Sequence, residues 1–314
     1  MVRFIIRRIL LLVPVIIGAT FLVYFIIDLA PGDIVFALGG DGLTEAEMAL
    51  LRHELGLDRP LIIRYLDYIR GLFTGDLGYS LLTGRSVVEL YFQRLPMTLR
   101  LAGSATLVSV LIAIPLGIYS AVRKGSVQDN IAMTVSMLGV SMPNFWIGLL
   151  LIIGFSLHLG LFPSGGYNGI RYLVLPALTI GTGLAANLTR MTRSSMIDAL
   201  GQDYLRTVRA KGVSEKKVIR RHALKNALIP IITIIGTQFS ISLGGSILTE
   251  SVFAMPGVGR LVMDAIRDRD FAIILGSVVL TTILTGIILL IVDLLYAFVD
   301  PRIKAQYMRR GKTT

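Results

Sequence analysis

The sequence contains no cysteine and only three histidines, His53, His158 and His222. Without thiols there is no disulfide framework and no thiolate metal site, and three scattered imidazoles do not make a histidine-rich one. Charge is also scarce, at 16% of residues against roughly 25% in a soluble globular domain. No GxxxxGK[ST] run is present, so no phosphate-cradling loop for nucleotide is expected. The long apolar runs carry almost no His, Asp or Glu, which argues against an intramembrane enzyme. The net charge of +11 does not point to nucleic acid, because the basic residues sit in short stretches between apolar runs. That is the distribution of cytoplasmic membrane loops.

What is abundant is apolar surface, with 54% hydrophobic residues and 32 glycines. A helix needs about 20 mostly apolar residues to cross the hydrocarbon core. Six candidates are predicted, at 9–29, 101–122, 131–157, 172–188, 227–248 and 271–295. The first follows Arg3, Arg7 and Arg8, like the start of a signal peptide. It is too long for that and has no small-residue cleavage pattern, so it is read as a retained helix. Lysines and arginines gather in 1–8, 120–130, 190–225 and the tail after Pro301. With six crossings these stretches share one face, which the positive-inside rule makes cytoplasmic, with both termini. The expected fold class is an all-α polytopic membrane protein.

Two connecting segments are too patterned to be plain loops. The outer one, 31–98, is too long for a simple connection. Pro31, Gly32 and Asp33 stop the first helix, and Thr44 with Glu47 has capping-box spacing ahead of a short helix. Gly56 to Pro60 breaks that helix, and an amphipathic stretch follows with Leu61, Ile62, Tyr65, Leu66, Tyr68 and Ile69 apolar. It reads as a helical cap on the outer membrane surface, as a docking surface for an external partner, or as both. On the inner side, 203–210 and 214–225 are predicted as two short helices joined at Gly212, a residue free to take positive φ. Composition allows a basic linker lying on anionic lipid or a plug for a cytoplasmic partner.

Within the spans, Pro143 interrupts the backbone ladder and Asn144 needs a partner in lipid. Asn144, Gln238 and nearby Ser242 are candidates for a translocation path, with a satisfied helix–helix contact as the alternative for each. The run LGGS (243–246) suits close helix packing, since small residues let backbones approach, with a pore-lining role as the alternative.

The stretch DYLRTVRAKGVSEKKVIRRHALKNALIP (203–230) resembles the coupling-helix region of binding-protein-dependent ABC importer permeases. RTVRAKG (206–212) is close to a variant of their EAA…G loop, with Val208 replacing an alanine. FIIRRIL (4–10), LAPGD (29–33), LGLDRP (55–60), GDLGYS (75–80), TRMTRSSM (189–196), ILTESVFAMPGVGRLVMDAIRDRD (247–270) and VDLLYAFVDPRI (292–303) agree in order. Together they resemble the dipeptide/oligopeptide/nickel ABC permease family across nearly the whole chain.

The resemblance implies a six-helix type I importer permease in a bacterial or archaeal inner membrane. It implies pairing with a second homologous permease, two cytoplasmic ATPases that hold ATP and Mg, and an extracytoplasmic solute-binding protein. No cofactor and no catalytic site are expected on this chain. Coupling to the ATPase falls to Asp203, Tyr204, Arg206, Thr207, Ala210, Lys211, Gly212, Val213 and Ser214. Glu250, Pro256, Gly257, Arg260 and Asp264 would reach the binding protein or the mouth of the path, or else form local salt bridges. The implied division is 1–30, a first membrane helix; 31–98, an extracytoplasmic segment; 99–300, a five-helix core with coupling helices at 203–225 and an outer loop at 250–270; and 301–314, a basic tail. The implied cargo is dipeptides or short oligopeptides, with nickel complexes, glutathione or another small solute as alternatives. A secondary transporter is the reading of a different class; it would need repeats and usually more helices. A channel would need a selectivity filter, and none is visible.

Overall fold

The structure is a computed structural model, and it describes residues 2–29, 35, 44–54 and 56–299. The tail at 301–314 and the Pro31–Gly32–Asp33 turn lie outside the described residues. The main elements are α1 (Val2–Leu29), α2 (Glu45–Glu54), α3 (Leu61–Phe73), α4 (Val87–Val122), α5 (Val127–Ser141), α6 (Asn144–Leu151) and α7 (Arg171–Leu200). After them come α8 (Asp203–Ala210), α9 (Leu224–Gly245), α10 (Ile247–Val252), α11 (Val258–Asp268) and α12 (Phe271–Val299). Among the described residues the only β pairing is one isolated bridge, Tyr79 with Ser86.

Among the described residues, five helices are long and apolar enough to cross a membrane: Ile5–Leu29, Val87–Val122, Arg171–Leu200, Glu215–Gly244 and Phe271–Leu294. The expected third crossing at 131–157 is not one straight helix. It is broken into α5 and a second half that bends away by 99°, and the pair is a sixth span only if both halves count as one. Pro143 is the cause. It has no N–H to continue the ladder, and it pushes Met142 out of the helical region to φ −84°, ψ 130°. The second half continues from α6 as a π-helical turn, Ile152–His158.

The chain divides into two compact units. One comprises Val2–Thr98 with Pro256–Gly286. Residues 256–286 therefore belong with the N-terminal segment, whereas the sequence grouped them with the 99–300 core. In this unit the capping box forms as expected. The Thr44 N–H donates to Glu47 Oε2 at 2.8 Å, and the Glu47 N–H reaches back to Thr44 Oγ1 at 3.4 Å. The hydrogen bonds from Thr44, chiefly from its backbone N–H, hold the Glu47 carboxyl below its usual range.

Helix α3 packs on α1 through Tyr65, whose hydroxyl donates to the Ile17 carbonyl at 2.6 Å. Phe21 and Tyr24 meet the Tyr65 ring edge-on, at 5.2 and 5.7 Å between centroids. Asp28 at the end of α1 pairs with Arg64 of α3. The buried or half-buried side of α3 runs Leu61, Tyr65, Tyr68, Ile69, Leu72, which is helical spacing; Ile62, Ile63 and Leu66 face outward. The core of this unit gathers Leu77, Val87, Leu90, Leu261, Ala265, Ile273, Ile274 and Val279.

The other unit comprises Leu99–Met255 with the chain from Ile287 onward. Its centre is α7, which buries Leu173, Leu175, Ile180, Leu188 and Met196 along most of its circumference. Close approach sets the α4–α7 crossing. A Cβ on Gly181 would stand 2.7 Å from Val108 Cγ1 and 2.9 Å from the Ala105 carbonyl oxygen. A backbone oxygen cannot rotate aside, so the helices would have to separate. Gly181→Ala is expected to lower the stability of the detergent-purified protein by roughly 1–3 kcal/mol. Gly103→Ala in α4, where a Cβ meets nothing within 4 Å, serves as the control. Equal melting midpoints for the two variants would refute the close-approach account.

Candidate functional site

The segment 203–214 begins at α8, whose amphipathic side is held by one residue. Leu205 is fully buried among Met196, Val218, Ala223 and Ile231. Tyr204 ties α8 to the chain that follows. Its hydroxyl donates to the His222 carbonyl at 3.1 Å and accepts from Asn226 Nδ2 at 2.6 Å. Arg209 forms a two-point ion pair with Glu215 across the turn, at 3.0 and 2.8 Å. The turn depends on Gly212, whose φ of +74° is left-handed. Its N–H also donates to the Arg209 carbonyl at 2.9 Å. Asp203, Arg206, Thr207, Ala210, Lys211 and Ser214 all face outward, with only a loose 3.7 Å contact between Asp203 and Arg206. Val213 turns inward onto the core.

The second short helix expected at 214–225 is not a separate element. Glu215–Lys217 leads through a π-helical turn, Val218–Ala223, directly into α9. The charged residues up to Lys225 suggested an end, but no glycine or proline breaks the backbone there, so the helix continues.

The candidate path residues lie in the same unit, and two converge on one turn of α7. Gln238 is buried and its Nε2 donates to the Leu184 carbonyl at 3.1 Å. Asn144 is exposed, with Oδ1 only 2.8 Å from where a Gly183 Cβ would stand. Ser242 is buried and donates to the Phe239 carbonyl of its own helix at 2.7 Å. Gln238 and Ser242 thus spend their polar groups on helix contacts, and Asn144 alone of the three faces open space.

The outer segment expected as a loop is helical, as α10 and α11, broken at Pro256 and Gly257. Glu250 was expected at the surface; the structure places it fully inside, where Oε1 accepts from Ser246 Oγ at 3.0 Å. Gly257 is buried as well, and Pro256 is half-buried. Arg260 and Asp264 are partly exposed, one helical turn apart at 3.7 Å. The Val258 N–H at the start of α11 is capped by Thr98 Oγ1 at 2.9 Å.

The strongest polar cluster escaped the sequence reading. Asp129, with 1% of its side chain exposed, receives Arg193 Nε and Nη2, each at 2.6 Å. Ser120 Oγ donates to the same carboxylate, as does the Gly125 N–H at 2.9 Å. The end of α4, the start of α5 and the last third of α7 thus meet on one side chain. Position 129 is 64 residues from 193, and no local pattern announces such a pairing.

This is the architecture of an all-helical, multi-pass membrane subunit. The chain belongs to the family described as the binding-protein-dependent transport system inner membrane component, whose model matches residues 113–305. The family's N-terminal membrane component matches residues 1–102. The chain is 38% identical to the dipeptide transport system permease protein DppB of Escherichia coli K12, covering 97% of this chain and 99% of that one. It is 40% identical to the oligopeptide transport system permease protein AppB of Bacillus subtilis strain 168, with 97% and 100% covered. The glutathione transport system permease protein GsiC of Salmonella typhimurium LT2 is 39% identical, with 97% and 99% covered. Among solved structures, an inward-facing MetNI methionine ABC transporter matches 68% of this chain and 97% of its own with a TM-score of 0.58, at 19% identity. That likeness supports the fold, a type I ABC importer permease.

Removing one partner of an enclosed ion pair strands the other. Arg193→Ala is expected to cost roughly 3 kcal/mol, read as a lower melting midpoint of the purified protein. Arg193→Lys should recover only part, because an ammonium cannot reproduce the two-point contact. Full recovery by lysine would show that the geometry of the pair is immaterial.

Proposed function

We propose that this chain is one of two membrane subunits of an ATP-driven importer for dipeptides or short oligopeptides. Family membership over nearly the whole chain supports the class, and relatives named for dipeptide and oligopeptide transport support the cargo. The relative named for glutathione transport favours a second reading within the same machine, a glutathione-like solute. The chain itself carries no catalysis in this reading; ATP and Mg are bound by two ATPase subunits beneath it. The 31–98 segment and α11 face the outer side, toward a solute-binding protein. Both termini, α8 and the 301–314 tail are cytoplasmic, with α5 and α6 counted as one broken span.

The observation that carries the coupling role is the rigid, outward-facing corner at 203–214. The Arg209–Glu215 pair, the Tyr204 hydrogen bonds and buried Leu205 fix its shape from within. Its outer residues keep no strong partner of their own and are available to a groove on the ATPase. Motion of the ATPase pair would enter the membrane domain there.

Gly212 provides the test. Proline cannot take φ of +74° and has no N–H for the Arg209 carbonyl. Gly212→Pro is expected to abolish ATP-driven peptide uptake in proteoliposomes holding the full complex, while the isolated ATPase still hydrolyses ATP. Gly212→Asn should retain more uptake than Gly212→Val, because asparagine tolerates the left-handed region and a β-branched residue does not. Normal uptake by the proline variant would sink the coupling role.

A further inference from the structure

Helix α7 is the most enclosed of the long helices, yet one narrow face of it is left open. Asn187, Arg190, Ser194 and Asp198 are all exposed, while their neighbours Ala186, Leu188, Thr189, Thr192, Ser195 and Met196 are buried. The spacing 187, 190, 194, 198 follows the helical repeat, so these four form one stripe. Gly183, beside the Asn144 amide, continues the stripe by one turn toward the other end of the helix. An apolar open face would suit lipid. This one presents an amide, a guanidinium, a hydroxyl and a carboxylate in succession.

Two arginines three residues apart on this helix have different surroundings. Arg193 is neutralised by Asp129 through two bonds. Among the described residues Arg190 forms no ion pair; its Nη2 donates to the Asn187 amide oxygen at 2.7 Å, which orients the guanidinium without cancelling its charge. Arg190 lies ten residues before the end of α7, about 15 Å along the axis at 1.5 Å per residue. The stretches 190–225 and 120–130, the second of which holds Asp129, are the basic ones read as cytoplasmic, so Arg190 stands at the inner end of this crossing, where an open guanidinium meets water at the mouth of the bundle.

We propose that the open stripe of α7 lines the solute path and that Arg190 receives the solute's carboxylate there. This rests on the peptide reading above, since a free carboxylate is common to peptides and glutathione. A guanidinium takes a carboxylate with two parallel charge-assisted bonds, and Asn187 is a positioning residue that holds the fork toward the path. Asn144 and Ser194 supply weaker polar contacts on either side, so cargo of varied side chains can pass while one common group is recognised.

The test uses the full complex in proteoliposomes, with a dipeptide and its C-terminal amide as paired cargoes. Each is supplied at a concentration that saturates the solute-binding protein, checked by direct binding, so the permease step is compared at equal loading. Wild type is expected to move the free acid about tenfold faster than the amide, the scale of one charge-assisted contact. Arg190→Gln should erase most of that preference by slowing the acid far more than the amide. Arg190→Lys should keep part of it, and Asn187→Ala should reduce it by less than Arg190→Gln does. Equal slowing of both cargoes, or of neither, overturns the assignment. Loss of the second permease subunit from the purified Arg190→Gln complex also overturns it, placing Arg190 in subunit pairing. A wild-type complex that moves no peptide at all overturns the peptide reading, and this assignment with it.

Discussion

One enclosed carboxylate organises the larger unit. Asp129 receives Arg193, Ser120 and a backbone N–H, and its own N–H is held by Ser126 at 3.2 Å. In lipid, helices gain little from apolar contact with each other, because the tails are as apolar as leucine. Direction and register then depend on close backbone approach and on a few polar contacts. The Gly181 crossing supplies the first and the Asp129 cluster the second, both acting between α4 and α7. With that pair fixed, the residues of α7 that remain open are determined, and so is the place where α8 leaves.

The same logic explains why many polar residues in this unit are spent on helix contacts, although the buried hydroxyls of Ser109, Thr192 and Thr249 have no hydrogen-bond partner among the described residues. Gln238 goes to the Leu184 carbonyl, Ser242 to its own helix and Tyr204 to the start of the next one. Hydroxyls on Thr179 and Thr189 return to carbonyls four residues back. A polar atom without a partner is expensive where water is absent. Polar atoms that do remain open are therefore informative, and on α7 they lie in a single line.

Much of the fold was legible because membrane helices announce themselves by length and apolarity, and the capping box at Thr44 and Glu47 did so by spacing. The turn at Gly212 was legible because this residue stands between two periodic stretches. The errors have physical causes. Pro143 was visible in the sequence, but sequence does not say whether a proline bends a helix modestly or turns it by 99°. The end placed at Lys225 followed charge, whereas helices end where the backbone is broken. Glu250 was read as an outer contact by its type, and burial of a carboxylate depends on partners such as Ser246 that only the folded chain assembles. The pairing of Asp129 with Arg193 was not legible, because a contact between distant helices leaves no local trace.

The helix Glu215–Gly244 has 30 residues, and at 1.5 Å per residue it measures about 45 Å. The hydrocarbon core is about 30 Å thick. About a third of this helix therefore stands clear of the oily layer, and the corner at Gly212 is mounted on that free end. The part that meets the aqueous compartment and the part that meets lipid are two ends of one shaft. Under the proposed coupling role, a push on the corner would need no separate linkage to reach the bilayer: the shaft would carry it inward, as a tiller turns a rudder below the waterline.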